Sequence, residues 1–138
     1  MVDSLSQEER SEIMARVRSK NTRPELAVRK LVFALGYRYR LHAKALPGCP
    51  DLVFRPRRKA IFVHGCFWHR HANCALARMP KSRIDFWTAK LEGNRRRDTR
   101  NKRELGRQGW KVLTIWECQL RGAASLEERI RRFLDEER

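Results

Sequence analysis

The densest chemistry in this chain lies between positions 64 and 74, which read His-Gly-Cys-Phe-Trp-His-Arg-His-Ala-Asn-Cys. Cys66, His71 and Cys74 are spaced C-x4-H-x2-C, and the isolated Cys118 can complete a Cys₃His tetrahedron. Zn²⁺ favours such a set, because thiolate and imidazole suit it and four protein ligands close a structural site. The competing reading is that some of these cysteines are small buried apolar residues, since the C-x2-C pairs of stronger zinc signatures are absent. Cys49 lies outside the compact cluster and reads as a packing residue. His69 stands two residues from His71 and projects differently, which leaves His64 and His69 free of the zinc set.

The 138 residues suffice for one domain with a real core, hiding about two-thirds of the unfolded surface. Lys and Arg total 32 against 16 Asp and Glu, a formal charge of +16. Like charges repel in a compact state, so this imbalance implies a polyanionic partner: nucleic acid first, an anionic membrane surface second. No apolar run approaches the roughly 18 residues needed to cross a bilayer. The first nine residues lack the basic and apolar regions of a signal peptide, so a reducing, cytoplasmic setting is expected, with thiols or metal ligands rather than disulfides. Acidic tails, collagen and small disulfide scaffolds are excluded.

Ser6-Gln7-Glu8-Glu9 and Thr22-Arg23-Pro24-Glu25 fit capping boxes, predicting one helix to about Ser19 and a second carrying Val28, Leu31, Val32 and Leu35 up to Gly36. Tyr37, Tyr39 and Leu41 alternate with arginines and read as a half-buried strand. Leu52-Val53-Phe54 and Ala60-Ile61-Phe62-Val63 flank the turn Arg55-Pro56-Arg57-Arg58 and predict a hairpin. Ile84 to Glu92 reads as a helix. Asn94 then caps another, which Gly109 ends beyond about Gln108, and Trp110 to Glu117 is a strand rich in β-branched and aromatic residues. A third capping box, Ser125 to Glu128, opens a last helix with Leu126, Ile130, Phe133 and Leu134 on one face. The expectation is an α/β domain, a small mixed sheet flanked by helices.

Residues 51 to 100 hold 13 basic side chains and only four acids, Asp51, Asp85, Glu92 and Asp98. Asp51 follows Pro50 at a strand start and either holds Mg²⁺ or ends a turn. A free histidine beside such a site, His64 or His69, can act as general acid or base near neutral pH. Phe67, Trp68, Phe86 and Trp87 either pack or stack on and wedge between bases. Arg95, Arg96, Arg97, Arg100, Lys102 and Arg103 crowd around Asp98, as a solvated helix face or a phosphate-binding one. Asp98 itself pairs with an arginine or orients a histidine.

Taken in order, these residues resemble the very short patch repair endonucleases, the Vsr family. Arg10 to Glu25 looks like that family's N-terminal segment, and Leu46-Pro47-Gly48-Cys49-Pro50-Asp51 like its metal loop. Phe62 to His69 is close to its signature, and Asp85-Phe86-Trp87, Arg97-Asp98 and Trp116-Glu117-Cys118 complete a pattern running from Arg10 to about Gly122. The resemblance implies one endonuclease domain over residues 1–138, with a DNA-contacting helical segment at 1–20, a restriction-endonuclease-like fold and a structural zinc. It implies Mg²⁺-dependent nicking of duplex DNA 5′ to the thymine of a T·G mismatch left by 5-methylcytosine deamination. It also implies a monomer working on bacterial DNA, linked to a cytosine-5 methyltransferase and to mismatch repair.

Carried over, Asp51 and the Val63 carbonyl bind Mg²⁺, His69 activates water, and Asp98 orients His69. Glu25 and His64 hold waters of the metal shell, and Cys66, His71, Cys74 and Cys118 bind zinc. Phe67, Trp68 and Trp87 enter the duplex, and Met14 approaches from the opposite groove. Relatives often carry Thr where this chain has Val63, a change that a carbonyl ligand survives. The wider superfamily places an acid and a lysine on the second strand. Val63-His64-Gly65 supplies neither, so the chemistry leans on His69. Two other functions fit the same composition: a zinc-stabilised DNA-binding module without hydrolysis, and a related nuclease for another DNA structure.

Overall fold

The structure, a computed structural model, describes residues 22–72 and 74–136. The helix expected from Ser6, with Met14 on it, lies outside the described residues. Helix α1 spans Arg23–Ala34, followed by strands β1 (Arg40–Leu41), β2 (Leu52–Phe54) and β3 (Lys59–His64). Helix α2 (Ile84–Arg107), strand β4 (Lys111–Trp116) and helix α3 (Ala123–Asp135) complete the order, with short 3₁₀ turns between. The sheet runs β1-β2-β3-β4, the first two pairings antiparallel and β3–β4 parallel. This is the mixed α/β architecture that the alternating patterns anticipate.

The two-residue period of the strands sends side chains to opposite faces, and helices cover both. Leu52, Phe54, Ile61 and Ile115 face Val28 and Val32 of α1 and Leu126, Ile130 and Leu134 of α3. Val53, Ala60 and Phe62 face Leu105 near the end of α2, together with Ala43 and Trp110. Each fully buried Leu or Ile contributes about 1.5–3 kcal/mol through water exclusion. The sheet is therefore fixed from both sides, and so is whatever its strand ends carry.

Local chemistry explains the ends of α1. Thr22 Oγ1 accepts the Glu25 N–H, and Pro24 sits in the first turn, where its missing N–H costs nothing. At the other end Gly36 takes φ +99°, and the Gly36 and Tyr37 amides return to Phe33 O and Val32 O, a Schellman ending. Lys59, 1% exposed at the start of β3, donates its ammonium to the carbonyls of Phe133, Leu134 and Glu136. It thereby satisfies the orphan acceptors and negative dipole end of α3.

Three expectations need correction. The strand read over Tyr37 to Leu41 shrinks to Arg40–Leu41. The Tyr37 and Tyr39 hydroxyls are spent on Asp135 (2.7 Å) and Arg29 O (3.2 Å), tying that segment to the helices instead. The helix break at Asn94 is absent, and α2 runs 24 residues without interruption. The Asn94 amide donates to Trp68 O (3.1 Å), a distant partner, so it does not compete with the helix for its own backbone. Finally, α3 begins at Ala123, with Gly122 as N-cap, so Ser125 lies inside its first turn rather than capping it.

Candidate active site and metal-binding loop

The sheet builds the acidic corner. Leu41 pairs with Leu52 across β1 and β2, so the next rung sets His42 opposite Asp51. The His42 N–H donates to Asp51 O (3.1 Å), and the Ala43 N–H to Pro50 O (3.3 Å). The first turn of α1 brings in Glu25, whose Oε2 lies 2.8 Å from His42 Nε2 and also takes the Arg29 guanidinium. Asp51 Oδ2 accepts the Val63 N–H (2.7 Å). Donor atoms of Glu25, His42 and Asp51 all lie within 4.8 Å of one another. Burial raises the Asp51 carboxyl to about 7; the Val63 N–H pulls it back, the adjacent Glu25 pushes it further up, and Arg29 opposes that. Burial, helped by the neighbouring Glu25, thus keeps this carboxyl protonated to a higher pH than a free aspartate.

No local sequence pattern marks His42. Its signal was present only as register: once Leu41 and Leu52 are known partners, 42 and 51 must face each other, but single-sequence patterns do not pair strands.

The strand β3 connects this corner to the histidines. A strand residue presents its N–H and C=O on the same edge, so the Val63 carbonyl lies on the edge toward Asp51. The next side chain, His64, points to the sheet face covered by α2 and stacks on His69, with ring centroids 3.8 Å apart and planes within 5°. His69 Nδ1 lies 2.5 Å from Asp98 Oδ2 on α2. A carboxylate on Nδ1 places the proton there and leaves Nε2 as the basic nitrogen. His64 is 4% exposed, and its buried Nδ1 has no hydrogen-bond partner among the described residues. Burial, then the adjacent His69, drives its pKa down to about 3, so it stands as a neutral imidazole. The contacts thus run unbroken from Glu25 and Asp51 through Val63 and His64 to His69 and Asp98.

Beyond His64 the chain turns back sharply. The His69 N–H bonds Gly65 O, the His71 N–H bonds Cys66 O, and Arg70 takes φ +54°. The turn separates the two histidines, sending His69 to Asp98 and His71 to the cysteines. Donor atoms of Cys66, His71, Cys74 and Cys118 lie within 4.8 Å of one another. Cys118 Sγ and His71 Nδ1 are 3.5 Å apart. Zinc bond lengths at a tetrahedral angle require about 3.6 Å between a sulfur and a nitrogen ligand, so the donor set fits Zn²⁺. The neighbours are ordered too: the His71 ring stacks on Trp116 (4.2 Å), and Glu117 Oε1 accepts the Cys66 N–H (3.0 Å). Cys49 is half-buried at φ +50° and stands outside this group.

Phe67 and Trp68 project from the same turn, half-buried, and meet edge to face, with centroids 5.1 Å apart. Trp87 lies behind both at 5.5 and 6.1 Å and is only 7% exposed, whereas Phe86 is 36% exposed. Of the two aromatics on α2, Trp87 is therefore the one that packs, and Phe86 the one open to solvent. One face of α2 serves the whole loop: Trp87 backs the aromatics, Asn94 holds the Trp68 carbonyl, and Asp98 holds His69. Its other side exposes Arg95, Arg96, Arg97, Arg100 and Arg103. Arg95, Arg96, Thr99 and Arg100 line a shallow groove there. No helix among the described residues is long and apolar enough to cross a membrane.

Fold and site together define a small mixed α/β protein with an acid–histidine centre and a Cys₃His cluster, one on each side of the end of β3. Comparison with known proteins sharpens that class. The family model of the DNA mismatch endonuclease Vsr matches residues 2–76, which include Glu25, His42, Asp51, His64, Cys66, His69 and Cys74. The chain is 53% identical over 135 residues to the type II nicking enzyme V.XorIIP of Xanthomonas oryzae pv. oryzae, covering 98% of each. It is 41% identical over 136 residues to the type II nicking enzyme V.NmeAIP of Neisseria meningitidis, covering 99% of this chain and 96% of that one. It is also 38% identical over 128 residues to the DNA mismatch endonuclease Vsr of Escherichia coli, covering 93% of this chain and 81% of that one. The chain belongs to the Vsr family.

Proposed function

We propose that this protein is a Mg²⁺-dependent DNA endonuclease on a restriction-endonuclease-like fold. It nicks one strand of duplex DNA immediately 5′ to the thymine of a T·G mismatch and so starts very short patch repair. The observation that carries this reading is the continuous contact path from Asp51 through Val63 and His64 to the His69–Asp98 pair. A DNA-binding module has no need of it.

The oxygen donors of Asp51 and of the Val63 carbonyl are the hard ligands that Mg²⁺ prefers, and Glu25 stands where it can hold a metal-bound water. Nδ1 of His64, which has no hydrogen-bond partner among the described residues, fits a further water of that shell. When bound, the cation supplies charge stabilisation for the phosphate and the leaving oxygen. The chain's own groups do the rest. His69 Nε2 takes the proton of the attacking water, and Asp98 fixes the tautomer and stabilises the imidazolium that forms. Zinc held by Cys66, His71, Cys74 and Cys118 keeps His69 and the aromatic pair on one rigid turn.

Phe67 and Trp68 unstack a base step, at a cost of a few kcal/mol that is lower where pairing is already poor, which favours a mismatch. Trp87 reaches the duplex only if those two rings move aside. Arg95, Arg96, Arg97 and Arg100 hold phosphates without reading sequence, and Met14 approaches from the opposite groove. On this reading the protein acts as a monomer on the bacterial nucleoid. It repairs deaminated 5-methylcytosine made by a cytosine-5 methyltransferase and hands the nick to repair proteins.

The test is incubation with Mg²⁺ and end-labelled duplexes that differ only in one T·G or C·G pair. A single nick 5′ to the thymine of the T·G duplex is expected. Tight binding of both duplexes without cleavage would favour the non-catalytic module, and equal cleavage of both the related nuclease.

A further inference from the structure

His42 has no work in the chemistry above, yet it is held at the site from several directions. Its backbone takes φ +47°. A non-glycine residue enters that left-handed region at a cost of about 1–2 kcal/mol and stays there only where its surroundings over-determine it. Those surroundings are the rung to Asp51, through the His42 N–H, and the side-chain contact with Glu25. The His42 side chain is 13% exposed and that of Glu25 3%, so their 2.8 Å contact is sheltered from water. Arg29, one turn along α1, reaches the same Glu25 oxygen and lies 3.4 Å from His42 Nε2. Glu25 is thus clamped by two donors, with Asp51 close on the remaining side.

We propose that His42 is a positioning residue of the cation site, donating its Nε2–H to Glu25 Oε2 and so fixing that carboxylate against Asp51. The proposal rests on the reading of Asp51 as a cation ligand. In this role His42 is not itself a ligand, because its Nε2–H is spent on Glu25 Oε2. Without it, Glu25 loses one of the two donors that clamp it, and the cation loses a second carboxylate held in place beforehand. Outer partners of this kind typically change metal affinity by about 10–100-fold.

The test is Mn²⁺ binding by calorimetry to the zinc-loaded, DNA-free full chain, comparing wild type with His42→Asn, His42→Gln and Asp51→Asn. Asn tolerates the left-handed backbone but is too short to reach Glu25; the Gln amide reaches as far as Nε2. His42→Asn is expected to bind Mn²⁺ 10–100-fold more weakly, and His42→Gln to recover most of that loss. In single-turnover nicking, His42→Asn should need more Mg²⁺ in the same proportion, with its saturated rate near wild type. Full zinc content together with a cooperative melt at the wild-type temperature shows that each variant is folded. Binding by His42→Asn within twofold of wild type, or no recovery in His42→Gln, overturns the positioning role. Wild-type Mn²⁺ affinity in Asp51→Asn overturns the cation reading itself, and His42's role with it.

Discussion

The Cys₃His loop and the Asp51 corner both gather ligand-grade side chains, and they are built in opposite ways. Three of the four loop ligands fall within nine residues, from Cys66 to Cys74. The fourth arrives by a simple rule: β3 and β4 run parallel with His64 beside Trp116, so Cys66 and Cys118 both stand two residues past that rung. The acidic corner draws Glu25 from a helix, His42 and Asp51 from the two ends of a loop, and Val63 from a third strand. No two of its members are close neighbours in sequence. A local set such as the loop can be stapled by one ion. A site dispersed in this way is only as good as the core that holds its elements in register.

Removing the staple should give the largest effect. Cys118→Ser is expected to lose zinc and much of the folded state, since structural zinc in small sites carries apparent binding free energies on the order of 10 kcal/mol. Cys49→Ser should keep both. Zinc content by atomic absorption on the purified proteins decides it, and equal zinc in wild type and Cys118→Ser would erase the distinction between the two regions.

Next is Trp68, which rides on the stapled turn but makes its proposed contact outside the protein. Trp68→Ala should retain zinc and fold, and should lose its preference for T·G over C·G duplexes in competition binding. A large fall in thermal stability with selectivity intact would show that the ring is mainly packing against Phe67 and Trp87.

The acidic corner carries its own signature in pH. Folding raises the Asp51 carboxyl from the ordinary 3.8 to about 7, so between those values the folded protein holds a proton that the unfolded chain has released. Stability from this group is therefore complete below about pH 4 and is lost as pH rises toward 7. Asp51→Asn removes the loss. In metal-free buffer its melting temperature should exceed that of wild type at pH 8 and by clearly less at pH 5. A pH-independent difference would mean that Asp51 is not buried beside Glu25 in solution.

The smallest expected effect belongs to the arginines of α2. Arg96→Ala and Arg100→Ala should each lower the salt slope of log K by about 0.9 if each touches one phosphate. An unchanged slope in both would turn that helix face away from DNA.

The same contrast governs how much of the molecule was legible in its sequence. The Thr22 cap, the Gly36 stop, the hairpin at Arg55–Arg58 and the apolar stripe of α3 were readable because each is a local pattern with a local cause. So was the C-x4-H-x2-C spacing of Cys66, His71 and Cys74, whose donor atoms the fold gathers with Cys118. Asn94 misled because an amide beside Gly93 looks like a cap until Trp68 O is found in its reach. Ser125 misled because a capping box says where a helix can start, and Gly122 offered an earlier start. His42 stayed invisible because its meaning lies in the rung it shares with Asp51, and the burial of Trp87 because it depends on a loop folding over it.

On the proposed function, the dispersed acid–histidine centre is what cuts DNA. This is tested most directly by single-turnover nicking of a T·G duplex at saturating enzyme, where binding differences drop out. Asp51→Asn is expected to bind the duplex and fail to nick it, and His69→Ala to be slower by about 10²–10⁴-fold. Nicking by Asp51→Asn at the wild-type rate would contradict it.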